Sequence, residues 1–285
     1  MTRSFRPLRL TAASAAVLAA SMAISATPAM AAQSSAYAVS ADLTTDGSSH
    51  VQLAQQLSTS GSTTLGQSYD KPKSIALLGK SLRLLPLQLR GPALTVLAQK
   101  LVTDASGNSG IDTLSTQGTS GAAAGEVALT LYPPIIIDPL PPASGVASAD
   151  ALARPLSALR VQFSKLKAGA SYEQVFRAPV RRTGSTSFGS VTLSGPLVGA
   201  KALSFSGEIQ PNTVVVKTPT VKITLNAQVI PQNPVCTPAG PCPQYRVLET
   251  VETKAVLIEL SNAAVLGHQV SGNIVIGDAQ AGEGE

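Results

Sequence analysis

The clearest pattern along the chain repeats every two residues. From Val221 to Ile230, the residues Val221, Ile223, Leu225, Ala227 and Val229 alternate with Lys222, Thr224, Asn226 and Gln228. Such alternation predicts a half-buried β-strand, because successive side chains of a strand point to opposite faces. A turn-rich stretch, Pro231 to Pro243, separates this run from a second long β-type run, Gln244 to Leu260. If the two runs form a hairpin registered symmetrically on Cys236 and Cys242, Val251 faces Ala227, Ala255 faces Ile223 and Leu257 faces Val221. The apolar phase of the second run changes near Lys254, where Val256, Ile258 and Leu260 join the other face; a bulge or burial on both faces accounts for such a change. Shorter runs bounded by Gly, Pro and Ser predict strands at 37–43, 126–132, 188–193, 202–209, 213–217 and 270–276. The expected fold is all-β, an antiparallel sandwich-like domain.

One stretch breaks the two-residue pattern. Leu152, Leu156, Leu159, Phe163 and Leu166 recur at steps of four, three, four and three, which is helical spacing, so one short helix is expected near 150–167. Asp150 caps it, and Pro155 lies near its start. Leu94, Leu97 and Leu101 give a weaker helical signal over 92–102. The segment 132–142 holds five prolines, which suits neither a central strand nor a helix, and reads as an extended connector.

Residues 1–31 are set aside as a signal peptide. Arg3, Arg6 and Arg9 form a positive start, Leu10 to Ala26 is uncharged and apolar or small, and Ala29-Met30-Ala31 is a small-x-small cleavage motif. Residues 32–285 are then a single exported β-rich domain. Losing three arginines lowers the net charge from +5 to +2. What remains is segregated: residues 71–182 carry 13 basic and six acidic side chains, while the flanking stretches are net acidic. No later stretch has the roughly 18 apolar residues of a membrane span, and the chain ends Gly282-Glu283-Gly284-Glu285 without a sorting signal. The expected location is extracellular, with the periplasm or a cell surface as variants of it.

Composition narrows the chemistry. Of 285 residues 13% are charged and 4% aromatic, with no Trp, two Cys and two His. Two histidines, His50 and His268, cannot build a multi-histidine metal site, and both sit in loop-like contexts. Few aromatics leave little for stacking bases or sugars, so nucleic acid is not expected as a partner. Phosphate-cradling glycine loops and Gly-x-Ser-x-Gly are absent. Acids such as Glu249, Glu252 and Glu259 would serve glycoside hydrolysis only as a pair across strands. No catalytic residue, cofactor or metal is assigned. In an exported chain Cys236 and Cys242 are read as a loop disulfide rather than a redox or zinc pair. Arg154, Arg160, Lys165, Lys167, Arg177, Arg181 and Arg182 face one acid, Glu173, within 154–182. They are either a solvated face or a binding face for an acidic polymer.

Several blocks together resemble one known family: Ser35-Ala36-Tyr37-Ala38-Val39-Ser40-Ala41, Phe205-Ser206-Gly207, Pro211-Asn212-Thr213, Ile223-Thr224-Leu225-Asn226, the run Thr253–Leu260, and Ser271-Gly272-Asn273-Ile274-Val275-Ile276-Gly277. Their order resembles that of the choice-of-anchor P family of secreted bacterial proteins. The resemblance implies a β-rich surface or extracellular domain, and it supplies no catalytic residues. Two departures are the missing anchor and Ala255-Val256 in place of a His-bearing strand motif. The expected function is an exported structural or interaction module without catalysis, with the chain itself or other surface proteins as partners through edge strands. A polyanion-binding module using the basic 154–182 face is the alternative.

Overall fold

A computed structural model describes residues 31–84, 92–130, 157–175, 178–231, 250–265 and 267–284. All regular structure among them is strand. One sheet contains β1 (Ala31–Thr45), β2 (Ser49–Gln56), β3 (Thr59–Thr63), β11 (Thr213–Lys217), β12 (Val221–Val229), β13 (Thr250–Val265) and β14 (His268–Gly284). The other contains β4 (Gln67–Asp70), β5 (Lys73–Arg83), β6 (Ala93–Ser109), β7 (Thr113–Thr130), β8 (Ser157–Val175), β9 (Arg181–Ser194) and β10 (Leu203–Glu208). We call them the terminal sheet, which joins the two chain ends, and the middle sheet.

Chain order is also spatial order. The terminal sheet runs β11-β12-β13-β14-β1-β2, with β3 continuing the β2 edge along β1. The middle sheet runs β10-β9-β8-β7-β6, with β4 and β5 both on the far side of β6. All pairings are antiparallel, and the sheets stack face to face, with β14 on β7 and β8 and β1 on β6 and β7. The sandwich expected from sequence is the fold observed.

The buried layer between the sheets is made of Val, Leu, Ile and many Ala, such as Val39, Leu101, Val161, Ile223, Ile258 and Ala279. At one end the sheets all but touch. A Cβ built on Gly118 of β7 would lie 2.5 Å from the carbonyl oxygens of both Ser35 (β1) and Gln280 (β14). Only hydrogen fits there.

A row of unusual backbone crosses each sheet. In the terminal sheet the register sets Leu57, Ala38, Gly277, Ala255 and Asn226 side by side, and every second one is left-handed: Leu57 at φ 50°, Gly277 at 66° and Asn226 at 51°. In the middle sheet the row is Ala76, Lys100, Ala123, Lys165 and Gly189, with Lys100 at φ 47° and Lys165 at 48°. Each left-handed residue resets the strand's in–out alternation. Before Lys165, β8 buries Val161 and Phe163; after it, Leu166, Ala168, Ala170 and Tyr172.

That reset explains where the sequence reading fails. Residues 157–167 are strand, not helix, and residues 150–156 lie outside the described residues. Two outward residues, Ser164 and Lys165, separate Phe163 from Leu166, and the resulting step of three imitates helical spacing. The weaker helix over 92–102 is likewise strand: Leu94, Val96 and Ala98 are buried, then the phase jumps by three to Leu101 across Lys100. The expected hairpin of β12 and β13 forms, but three residues out of the symmetric register: Val221 pairs Leu260, Ile223 pairs Ile258 and Ala227 pairs Lys254. The observed pairing places Ile on Ile and aligns the phase change of β13 with the left-handed row, which the symmetric register does not. The connector 132–142, and both Cys236 and Cys242, lie outside the described residues.

Candidate functional site

Because the sheets close on each other, the surfaces left for contact are the outer faces and the edges. The middle sheet's outer face carries two grooves. The first has a volume of about 340 Å³ and follows β7 from Thr119 to Ala123. Its floor is small, Gly121, Ala122 and Ala123, while the neighbouring strands raise long side chains on either side. Lys100 and Val102 of β6 form one bank, and Lys165 and Lys167 of β8 the other. All three lysines are exposed.

The seven cations singled out by sequence do not share a patch. Lys165 and Lys167 stand on the groove. Arg160 is nearly buried, 5% exposed, with Nε 3.2 Å from Glu126 Oε1. Gln162 Nε2 donates to the other oxygen of Glu126 at 3.0 Å. Arg181 is exposed, with Nη1 3.9 Å from a Glu173 oxygen. Arg182 places its guanidinium 5.7 Å from the Tyr172 ring centre, a cation–π contact. Arg154 and Arg177 lie outside the described residues. Lys100, on β6 and remote in sequence from the basic stretch, was missed; its signal is only the register that sets it across Ala123 from Lys165.

The second groove, about 400 Å³, lies farther along the same face and is polar, with Ser106, Asn108, Ser115, Gln117, Ser171 and Glu173 among its lining. Beneath it Tyr172 donates its hydroxyl to Glu283 Oε1 at 2.9 Å.

The terminal sheet carries a compact polar cluster on its outer face. Asp278 is fully buried, in a row with Tyr37 on β1 and Lys254 on β13. Neither of its carboxylate oxygens has a hydrogen-bond partner of ordinary geometry among the described residues. Burial, reinforced by the neighbouring Glu252 carboxylate, pushes the Asp278 carboxyl up to about 7. Glu252 itself is engaged, 2.8 Å from Lys254 Nζ and accepting from Gln280 Nε2 at 2.9 Å. Burial and Asp278 raise the Tyr37 phenol as well. Neither groove of the middle sheet borders this cluster.

Of the other sequence leads, Glu259 is tied to Lys222 at 2.7 Å. Each histidine meets an aspartate: His50 Nε2 is 2.5 Å from Asp42 Oδ1, and His268 Nδ1 is 2.8 Å from Asp46 Oδ2. Asp46 also accepts the Gln269 backbone N–H at 2.9 Å, and these bonds hold its carboxyl below the usual range. The contact ties the β1–β2 turn to the β13–β14 turn. Among the described residues no three His, Cys, Asp or Glu side chains gather as metal ligands, and no helix is long and apolar enough to cross a membrane. No protein-family model matches the chain, and a search of curated proteins finds no match.

Proposed function

We infer that the chain is an exported structural and interaction module of the choice-of-anchor P type, acting outside the cytoplasm through its surface rather than through catalysis. The single observation that carries this reading is an open, apolar sheet edge. Strand β11 reads Thr-Val-Val-Val-Lys and pairs only with β12 among the described strands. Val214 is 44% exposed there. The unpaired backbone row of such an edge is a template for another strand, and alternate apolar side chains add area to the contact. Lys217 is the one charge on the strand that guards against it.

Export is supported by the arginine-led start, the uncharged run and the small-x-small motif of residues 1–31. The family reading is supported by where its blocks fall. Gly207, Asn212, Asn226, Gly272 and Gly277, one in each block from Phe205 onward except the Thr253 run and two in the last, all have positive φ. They are the positions where this backbone calls for Gly or Asn.

Edge pairing is tested with Val214→Lys, a change on an exposed side chain that leaves the core intact. Sedimentation of the purified exported protein should show a concentration-dependent multimer that the variant dissolves. A wild-type multimer unaffected by the change, or a wild-type monomer at every concentration, contradicts the reading.

A further inference from the structure

The groove between Lys100 and Lys165 has features that edge pairing does not use. In the terminal sheet, two of the three left-handed positions are Asn and Gly, the residues that take this conformation most readily. In the middle sheet both left-handed row positions are lysine, each an unfavourable choice for that backbone. They lie in one row, on opposite banks, with only Ala123 between them, and Lys167 joins them one step along β8. No carboxylate among the described residues lies within ion-pair distance of any of the three ammonium groups. The acids on that face do not neutralise them: Glu126 holds Arg160, Glu173 is near Arg181, and Asp104, raised by burial and by the neighbouring Asp70, makes no ion pair with the lysines. Three cations are thus gathered without an ion-pair partner among the described residues, on a backbone that resists two of them.

We propose that this groove binds a linear phosphate polymer, lying along β7 over Gly121–Ala123 and held by Lys100, Lys165 and Lys167. The groove is shallow and lies on an open sheet face, which suits an extended chain better than an enclosed small molecule. Its charges are lysines, compact point charges on flexible stems, which follow a mobile anionic chain; a planar, oriented head group would call for the fork of arginine. None of its lining side chains is aromatic, so a neutral sugar chain gains no stacking there. The small floor lets the polymer sink between the banks so that both reach it.

The test uses the purified exported protein with medium-chain inorganic polyphosphate, and in a separate arm inorganic orthophosphate at equal phosphorus. Binding to polyphosphate should weaken with salt, with a log–log slope of about −2 to −3 for three neutralised phosphates. Replacing Lys100, Lys165 and Lys167 together by Gln should lower affinity at low salt by at least about tenfold and flatten that slope. The Arg181→Gln variant, farther along the sheet, should bind as wild type. Melting curves for each variant check that the fold persists, and a Lys165→Asn single variant, with a residue suited to that backbone, provides a second, safely folded test with a smaller loss. Unchanged polyphosphate binding in the triple variant overturns the site. Orthophosphate binding as tightly as the polymer overturns the polymer. Absence of polyphosphate binding at low salt overturns both, while leaving edge pairing at β11 untouched.

Discussion

Gly118→Ala isolates the close contact between the sheets. Gly118 is not among the residues with positive φ, so alanine costs no backbone strain there and by itself stabilises by about 0.5 kcal/mol through the unfolded chain. Its Cβ, however, would sit 2.5 Å from the carbonyl oxygens of Ser35 and Gln280 and 3.0 Å from the Gln280 nitrogen. An ordinary contact needs about 3.4 Å or more, so the sheets must part by nearly 1 Å between β7 and the β1–β14 pair. All three obstructing atoms are backbone, and no side chain can rotate away. Overpacking a core costs about 1–3 kcal/mol, and rigid obstruction places this change at the upper end, near 3 kcal/mol. For a domain of this size that lowers Tm by about 6–12 °C. Urea unfolding followed by circular dichroism should show the midpoint falling with an unchanged slope. Gly121→Ala is the control, because its Cβ meets only the Leu166 carbonyl oxygen, at 3.3 Å. A Gly118→Ala variant as stable as Gly121→Ala refutes the claim that the sheets touch.

Three further outcomes follow from named residues. Lys165→Asn relieves a left-handed lysine and should raise stability by up to about 1 kcal/mol, read as a higher urea midpoint. Asp278 has its folded pKa raised from 3.8 to about 7, so the folded state holds a proton that the unfolded chain has lost. Stability should therefore fall as pH rises from about 4 to 7 and level off above; Asp278→Asn should gain roughly a few kcal/mol over wild type at pH 8, an advantage that vanishes near pH 4 in melts across that range. Arg160→Ala strips the cation from Glu126, whose side chain is 13% exposed, and should destabilise by about 3 kcal/mol in urea without changing polyphosphate affinity, because Arg160 is nearly buried and does not line the groove.

How much the sequence revealed depended on local side-chain contrast. Strands β11, β12 and β14 are legible because bulky apolar residues alternate with polar ones, as in Val221 to Val229. Strands β2 to β4 and most of β7 are not. Segments such as Thr113-Leu-Ser-Thr-Gln-Gly-Thr-Ser-Gly bury Leu114, Thr116, Gly118 and Ser120 on one face, so the contrast lies in size and packing rather than in polarity. The left-handed rows are the second obstacle. They shift the apolar phase in mid-strand, which makes β8 resemble a helix. The phase change near Lys254 was the visible trace of one such row. Of the groove, Lys165 and Lys167 stood out as part of a basic stretch, but Lys100 joins them only through the β6–β7–β8 register. The burial of Arg160 depends on Glu126, 34 positions earlier, which charge counting along the sequence cannot pair with it.

The central functional claim is that this protein works by strand-edge contact. Light scattering coupled to size exclusion, on residues 32–285 at low and high salt, tests it most directly. Apolar strand pairing at β11 predicts a multimer that grows with concentration and survives high salt. A monomer at both salts, or a multimer that dissociates as salt is added, contradicts it.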